Sequence, residues 1–280
     1  MSENTSKIID FEKLLKETAK LPLVNINREE FLRNELKKYC DDETIKTAIE
    51  NNPAYAKISK KTIDKIADGC INFETLKVSS ISFVSGIPGG FALAAAIPAD
   101  IVNYYAHVIR IIQMLAYLYG WQSLIEVEGQ MDSETSQLLT LFTGVMFGVQ
   151  GATKVVTKLS SSMAQRIGKT LTTKALTKGT IYPIVKKIAT ILGVRMTKEV
   201  FAKGVSKIIP ILGGLVSGGI TFLSFMPMSF KFKEYLAGLD LASVEYYNNK
   251  KEDDEIIDVD FSDIEIKEPE YNIEDIIVPK

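Results

Sequence analysis

Residues 86–121, GIPGGFALAAAIPADIVNYYAHVIRIIQMLAYLYGW, constrain this chain more than any other stretch. They overlap an uncharged run, residues 78–99, that is 22 residues long. A run of that length is enough to cross a bilayer as a helix. Gly86, Pro88, Gly89, Gly90 and Pro98 interrupt it. Proline removes an amide donor and glycine loosens the backbone, so one spanning helix does not fit. The expected arrangement is two short buried helices, residues 77–86 and 90–96, joined by a turn. The alternative is a re-entrant membrane hairpin.

A longer helix is predicted to open at Asp100. Ile101, Tyr104, Tyr105, Val108, Ile111, Ile112, Leu115 and Leu118 give it a broad apolar surface, and Gly120 is a natural stop. The rest of the chain is expected to cover residues 86–121 or to work with them. Asp100, Asn103, His107, Arg110 and Tyr117 fall on one arc, because they recur at helical steps. As a functional line they offer a ligand contact, a proton-responsive point or a subunit contact. As a structural line, Asp100 caps the helix, Arg110 pairs with a carboxylate elsewhere and His107 makes a core hydrogen bond. A buried charge needs a partner under either reading.

Alternating β-branched runs between hairpin turns are missing outside the tail, so the expected fold is all-α. It is read as a single helical bundle with two glycine- and proline-rich apolar helical hairpins. Residues 1–54 form an N-terminal helical extension. Its first part, with Ile8, Phe11, Leu15 and Thr18, reads as a surface helix or docking arm. Asn27 is a candidate N-cap, and Asn52-Pro53 ends a helix over residues 42–51. Residues 55–249 form the main domain. Ser59 opens a helix that places Ile63, Ile66, Ala67, Cys70 and Ile71 on one face, with Cys70 a small core residue. A second uncharged run, residues 135–153, carries Gly144, Gly148 and Gly151, a spacing that lets helices approach closely. A third, residues 208–230, contains Pro210, Gly213, Gly214, Gly218, Gly219 and Pro227, and reads as a packed helical hairpin or an insertion loop. Residues 231–249 form a last helix.

The net charge of −2 hides two opposite blocks. Residues 154–207 hold twelve basic residues and one acid, Glu199. Lys154, Lys158, Arg166 and Lys169 gather opposite an apolar face made by Val156, Leu159, Met163, Ile167 and Leu171. Residues 250–280 hold twelve acids against four lysines, the composition of a disordered acidic tail. Ile256-Ile257 and Ile276-Ile277 give that tail marks of a docking motif for a protein partner.

Catalytic and cofactor patterns are sparse. One histidine and two isolated cysteines, Cys40 and Cys70, provide no zinc-ligand spacing and no disulfide scaffold, and no metal or cofactor is expected. No GxSxG surrounds a serine. Gly168-Lys169-Thr170 lacks the first glycine of a phosphate loop, because Met163 stands there. The basic block has only Tyr182 and Phe201 as aromatics, which argues against nucleic acid. Basic helices beside apolar runs suit an anionic membrane surface. The N-terminus shows no secretory signal, so the expected location is cytoplasmic, peripheral to or partly inserted in the inner membrane.

Several short motifs resemble the bacterial EcsC family. They are Gly86-Ile87-Pro88-Gly89-Gly90, Ile97-Pro98-Ala99-Asp100, Ile111-Ile112-Gln113 and Tyr119-Gly120-Trp121, then Arg166-Ile167-Gly168-Lys169 and Ile209-Pro210-Ile211-Leu212-Gly213-Gly214. The resemblance covers about residues 55–245 and leaves out the N-terminal 50 residues and the acidic tail. The resemblance implies no established biochemical role, although some relatives carry hydrolase labels, and a more distant likeness is to helical, membrane-associating domains attached to some bacterial GTPases. The expectation is therefore a non-enzymatic interaction module that docks on anionic lipid or a membrane protein through basic helices and apolar hairpins. The lipid contacts would be Lys154, Lys158, Arg166 and Lys169. The alternatives are a hydrolase built around His107 and a pore-forming membrane effector.

Overall fold

Aspartate, asparagine and serine side chains set the start of five helices. Asp10, Asn27, Asp41, Asp132 and Ser243 each accept a hydrogen bond from the amide three residues on, at 2.7 to 3.1 Å. Each bond satisfies an amide that the helix itself leaves unpaired. The computed structural model describes residues 10–80, 99–125, 131–168, 181–195, 216–250 and 260–266, with backbone only at 79–80, 99–100, 194–195 and 216–224. The expected short helices within residues 77–98 fall outside the described residues after Ser80, as does the segment 196–215.

Among the described residues the fold is all-α, with ten α-helices and no strand. These are α1 (Phe11–Ala19), α2 (Arg28–Leu36), α3 (Asp42–Glu50), α4 (Lys60–Ser80), α5 (Ala99–Leu118), α6 (Ser133–Met146), α7 (Ala152–Arg166), α8 (Tyr182–Arg195), α9 (Val216–Ala237) and α10 (Val244–Asn249). Short 3-10 turns at Pro22–Val24 and Asp240–Ala242 complete it.

α5 is the hub. It packs against α1, α2, α4, α6 and α9. Val108, Ile109, Ile111, Ile112, Leu115, Ala116 and Tyr117 are fully buried, which takes them nearly all the way round the helix. The cover expected for this helix is therefore present. α5 ends as its sequence predicts. The Trp121 amide reaches back to the Ala116 carbonyl at 2.9 Å, and Gly120 between them has φ +100°. That closing pattern needs a left-handed residue, which glycine adopts without strain. A side chain at position 120 would also collide with the Leu241 carbonyl, 2.8 Å from where its Cβ would stand.

The expected surface helix or docking arm at the N-terminus is instead part of the core. Phe11, Leu14 and Leu15 of α1 are buried against α5, α6 and α8 in one continuous apolar cluster. The four-residue spacing of Phe11 and Leu15 already marks this face, and Leu14 widens it enough to need burial on two sides.

Two further expectations change. The described part of the third uncharged run does not fold back at Gly218-Gly219. α9 continues through both glycines and through Pro227. Phe225, Met228, Phe232 and Leu236 are buried, and α9 makes the most extensive helix pairing of the fold with α4. That burial outweighs the roughly 3 kcal/mol that an internal proline costs. The predicted last helix over residues 231–249 splits, because 231–237 belong to α9 and the chain turns at Gly238 before α10.

In the second uncharged run, Gly144 lies against Ile188 of α8 and Ala152 of α7, which is the close approach predicted for it. Gly148 and Gly151 are not on that helix. They form the turn from α6 to α7, and Gly151 has φ +89°.

Candidate functional site

The polar line of α5 meets a carboxylate that sequence reasoning overlooked. Glu74 of α4 is fully buried and lies opposite α5. Its Oε1 is 2.7 Å from His107 Nδ1 and accepts a hydrogen bond from Arg110 Nε at 2.9 Å. Arg110 also donates through Nη1 to the Leu23 carbonyl. One turn on, Gln113 donates to the Val24 carbonyl at 2.7 Å, and Tyr117 OH donates to Gln113 Oε1 at 3.3 Å. Tyr117 OH in turn accepts from the Leu124 amide at 3.2 Å. The line therefore fastens three other segments to α5: the middle of α4, the 3-10 turn after α1 and the loop after α5.

His107, Arg110 and Tyr117 all belong to this network. Asn103 is half-buried one turn earlier and is not bonded to it. Asp100 lies in the first turn of α5, and its side chain is outside the described residues. Gln113 joins the arc three residues after Arg110 and four before Tyr117, a spacing that could have identified it. Glu74 follows Ile71 by three residues and precedes Val78 by four, so it continues the buried face of α4. That position was its one mark in the sequence.

Burial alone would push the Glu74 carboxyl up, but the hydrogen bond from His107 and the charge of Arg110 outweigh it. The net shift is downward, so the group stays ionised. Its Oε2 is buried with no hydrogen-bond partner among the described residues. Cys70, one turn before Glu74, is held as a neutral thiol. Burial and then the charges of Glu35 and Glu74 raise its pKa to about 12. Among the described residues no serine, threonine or cysteine hydrogen-bonds His107. The arrangement can store charge and hold helices together.

A second buried cation performs a similar task nearby. Arg28 at the start of α2 donates to the Trp121 carbonyl at 2.9 Å and to the Ile49, Asn51 and Ala48 carbonyls at 2.7, 3.3 and 3.4 Å. These last three lie at the end of α3, where carbonyls lack helical partners. Burial lowers the pKa of Arg28 to about 10, so it remains charged at neutral pH.

The basic residues are concentrated on α7 and α8, which both pack on α6. Ala152–Arg166 and Tyr182–Arg195 carry Lys154, Lys158, Arg166, Lys186, Lys187 and Arg195, and no acidic residue. Lys154, Lys186 and Lys187 are exposed, whereas Arg166 is half-buried. Lys169 falls outside the described residues. Lys158 is engaged by the acidic tail: Nζ donates to Asp263 Oδ1 and to the Asp260 carbonyl, both at 2.6 Å. Residues 260–266 are thus placed against the bundle, within a segment read as a disordered tail. Phe261 and Ile264 are buried there, 3% and 9% exposed. The apolar pairs Ile256-Ile257 and Ile276-Ile277 lie outside the described residues.

Comparison with protein-family models, with curated proteins and with solved structures finds no match to this chain.

Proposed function

We propose that this protein is a non-enzymatic helical interaction module of the EcsC type, which docks on the cytoplasmic face of the membrane by presenting α7 and α8 to anionic lipid. The observation that carries this reading is the one-sided charge of those two helices, six basic residues and no acid. Lysines gathered near a surface gain about 1 kcal/mol each from an anionic leaflet. Apolar surface adds to it. Phe73 and Leu76 on α4 are 58% and 60% exposed, just before the chain enters the uncharged run 78–99, and Lys77 lies over the Phe73 ring at 4.4 Å. No helix of the described residues is long and apolar enough to cross a membrane. The hydrolase reading has less support, because His107 is spent on a buried carboxylate that Arg110 also binds.

Co-sedimentation of the full-length protein with vesicles tests the reading. Phosphatidylglycerol-containing vesicles should retain it at low salt and release it as salt rises, because the Debye length contracts from about 10 Å at 0.1 M to about 3 Å at 1 M. Neutral phosphatidylcholine vesicles should retain little. Equal binding to both, unaffected by salt, would remove the electrostatic basis of the proposal. Leakage of trapped dye would assign the uncharged runs an inserting role instead.

A further inference from the structure

The segment 260–266, DFSDIEI, meets the bundle in a way that separates it from the rest of the core. Asp260 accepts from the Ser262 amide and hydroxyl, both at 2.9 Å, and the Ile264 amide donates to the Phe261 carbonyl at 3.1 Å. This tight turn puts Phe261 and Ile264 on one side, facing inward, and leaves Asp260, Ser262, Asp263 and Glu265 exposed. The inward pair, with Ile266, lies over a cleft lined by Pro183, Ile184 and Lys187 of α8. At the other wall, Ile266 and the Glu265 carbonyl press on the α6–α7 turn. A side chain at Gly151 would stand 2.7 Å from that carbonyl. Lys158 of α7 anchors the segment by charge.

We infer that the groove between α7 and α8 is a peptide-binding site for a short acidic-apolar segment, and that residues 260–266 of this chain are its occupant, held reversibly in cis. Three observations bear on this. Lys158 of α7 and Lys187 of α8 border the groove and the segment is acidic, so charge favours this class of ligand. The apolar side chains go in and the acids stay out, the pattern of a linear motif laid on a surface. The segment has no helix or strand of its own, and the burial of Phe261 and Ile264 must offset the ordering of its backbone. The occupied Lys158 is also one of the proposed lipid contacts. To that extent the site rests on the membrane reading: peptide and lipid would compete for α7.

The test uses the full chain with Phe261→Ala and Ile264→Ala, which vacates the groove, and a fluorescein-labelled peptide of residues 258–268. Anisotropy should show saturable binding to this variant, weaker by about tenfold or more for the wild type, whose own segment competes. Adding Lys158→Glu to the vacated chain should weaken peptide binding by about tenfold or more. No saturable binding, or binding that Lys158→Glu leaves unchanged, overturns the site. Two measurements on the wild type address reversibility and source. Amides of 260–266 should exchange with solvent well before those of α5, and equal protection would make the segment a fixed part of the core. Size-exclusion chromatography should show a monomer. A dimer that dissociates on Phe261→Ala would place the segment in the groove of a second copy and overturn binding in cis. The peptide assay contains no lipid, so its outcome is independent of vesicle binding.

Discussion

Glu74 Oε1 and Arg110 Nε stand 2.9 Å apart across the α4–α5 interface, and the same oxygen lies 2.7 Å from His107 Nδ1. One atom thus holds two cationic or polar side chains from the neighbouring helix.

Truncating that acceptor leaves both partners stranded. Glu74→Ala should destabilise the protein by about 3 to 5 kcal/mol, the range for breaking a buried pair from one side. His107→Ala should cost less, because the stronger charge pair survives it. Urea unfolding of both single variants and the double variant measures the coupling, which should differ clearly from zero for residues in direct contact.

The network should also set an acid limit. The folded Glu74 carboxyl ionises below its ordinary value, so it adds stability at pH above the ordinary glutamate range. That contribution falls away as pH drops through the lowered folded value. Thermal unfolding followed from neutral to acid pH should show the loss, and Glu74→Gln should flatten that part of the curve.

Gly120→Ala should lower stability by about 2 kcal/mol or more, since it places a side chain at φ +100° and against the Leu241 carbonyl. Gly69, an α4 position with open space around it, provides the control, and Gly69→Ala should be neutral or slightly stabilising. Melting temperatures of the two variants compare directly.

Arg28→Met should cost about 3 kcal/mol or more by leaving buried carbonyls unpaired at the end of α3 and at Trp121. Arg28→Lys should restore only part of this, because an ammonium cannot reproduce the planar fork that spans both places. Chemical denaturation of the pair checks the ranking.

The sequence makes α5 legible because its apolar positions continue around the helix, and the polar arc stands out against them. It hides Glu74 because an acid after Ile71 reads as the solvent side of α4 unless the spacing to Val78 is followed. Pro227 misleads for a different reason. Its local preference is to end a helix, and only the packing of Phe225, Met228 and Phe232 reverses that. Phe261 and Ile264 are concealed by the acids around them. Composition describes the tail as a whole, whereas docking depends on two side chains in the right register over α8.

The pairing of α4 with α9 has a bearing on how the protein is made. Lys233 Nζ and Asp68 Oδ1 meet at 2.6 Å, yet 165 positions separate them. During synthesis α4 leaves the ribosome long before its main partner exists. The nascent chain must therefore be shielded, or remain loosely collapsed, until residue 237 has emerged. Any fragment that stops short of α9 lacks that partner permanently.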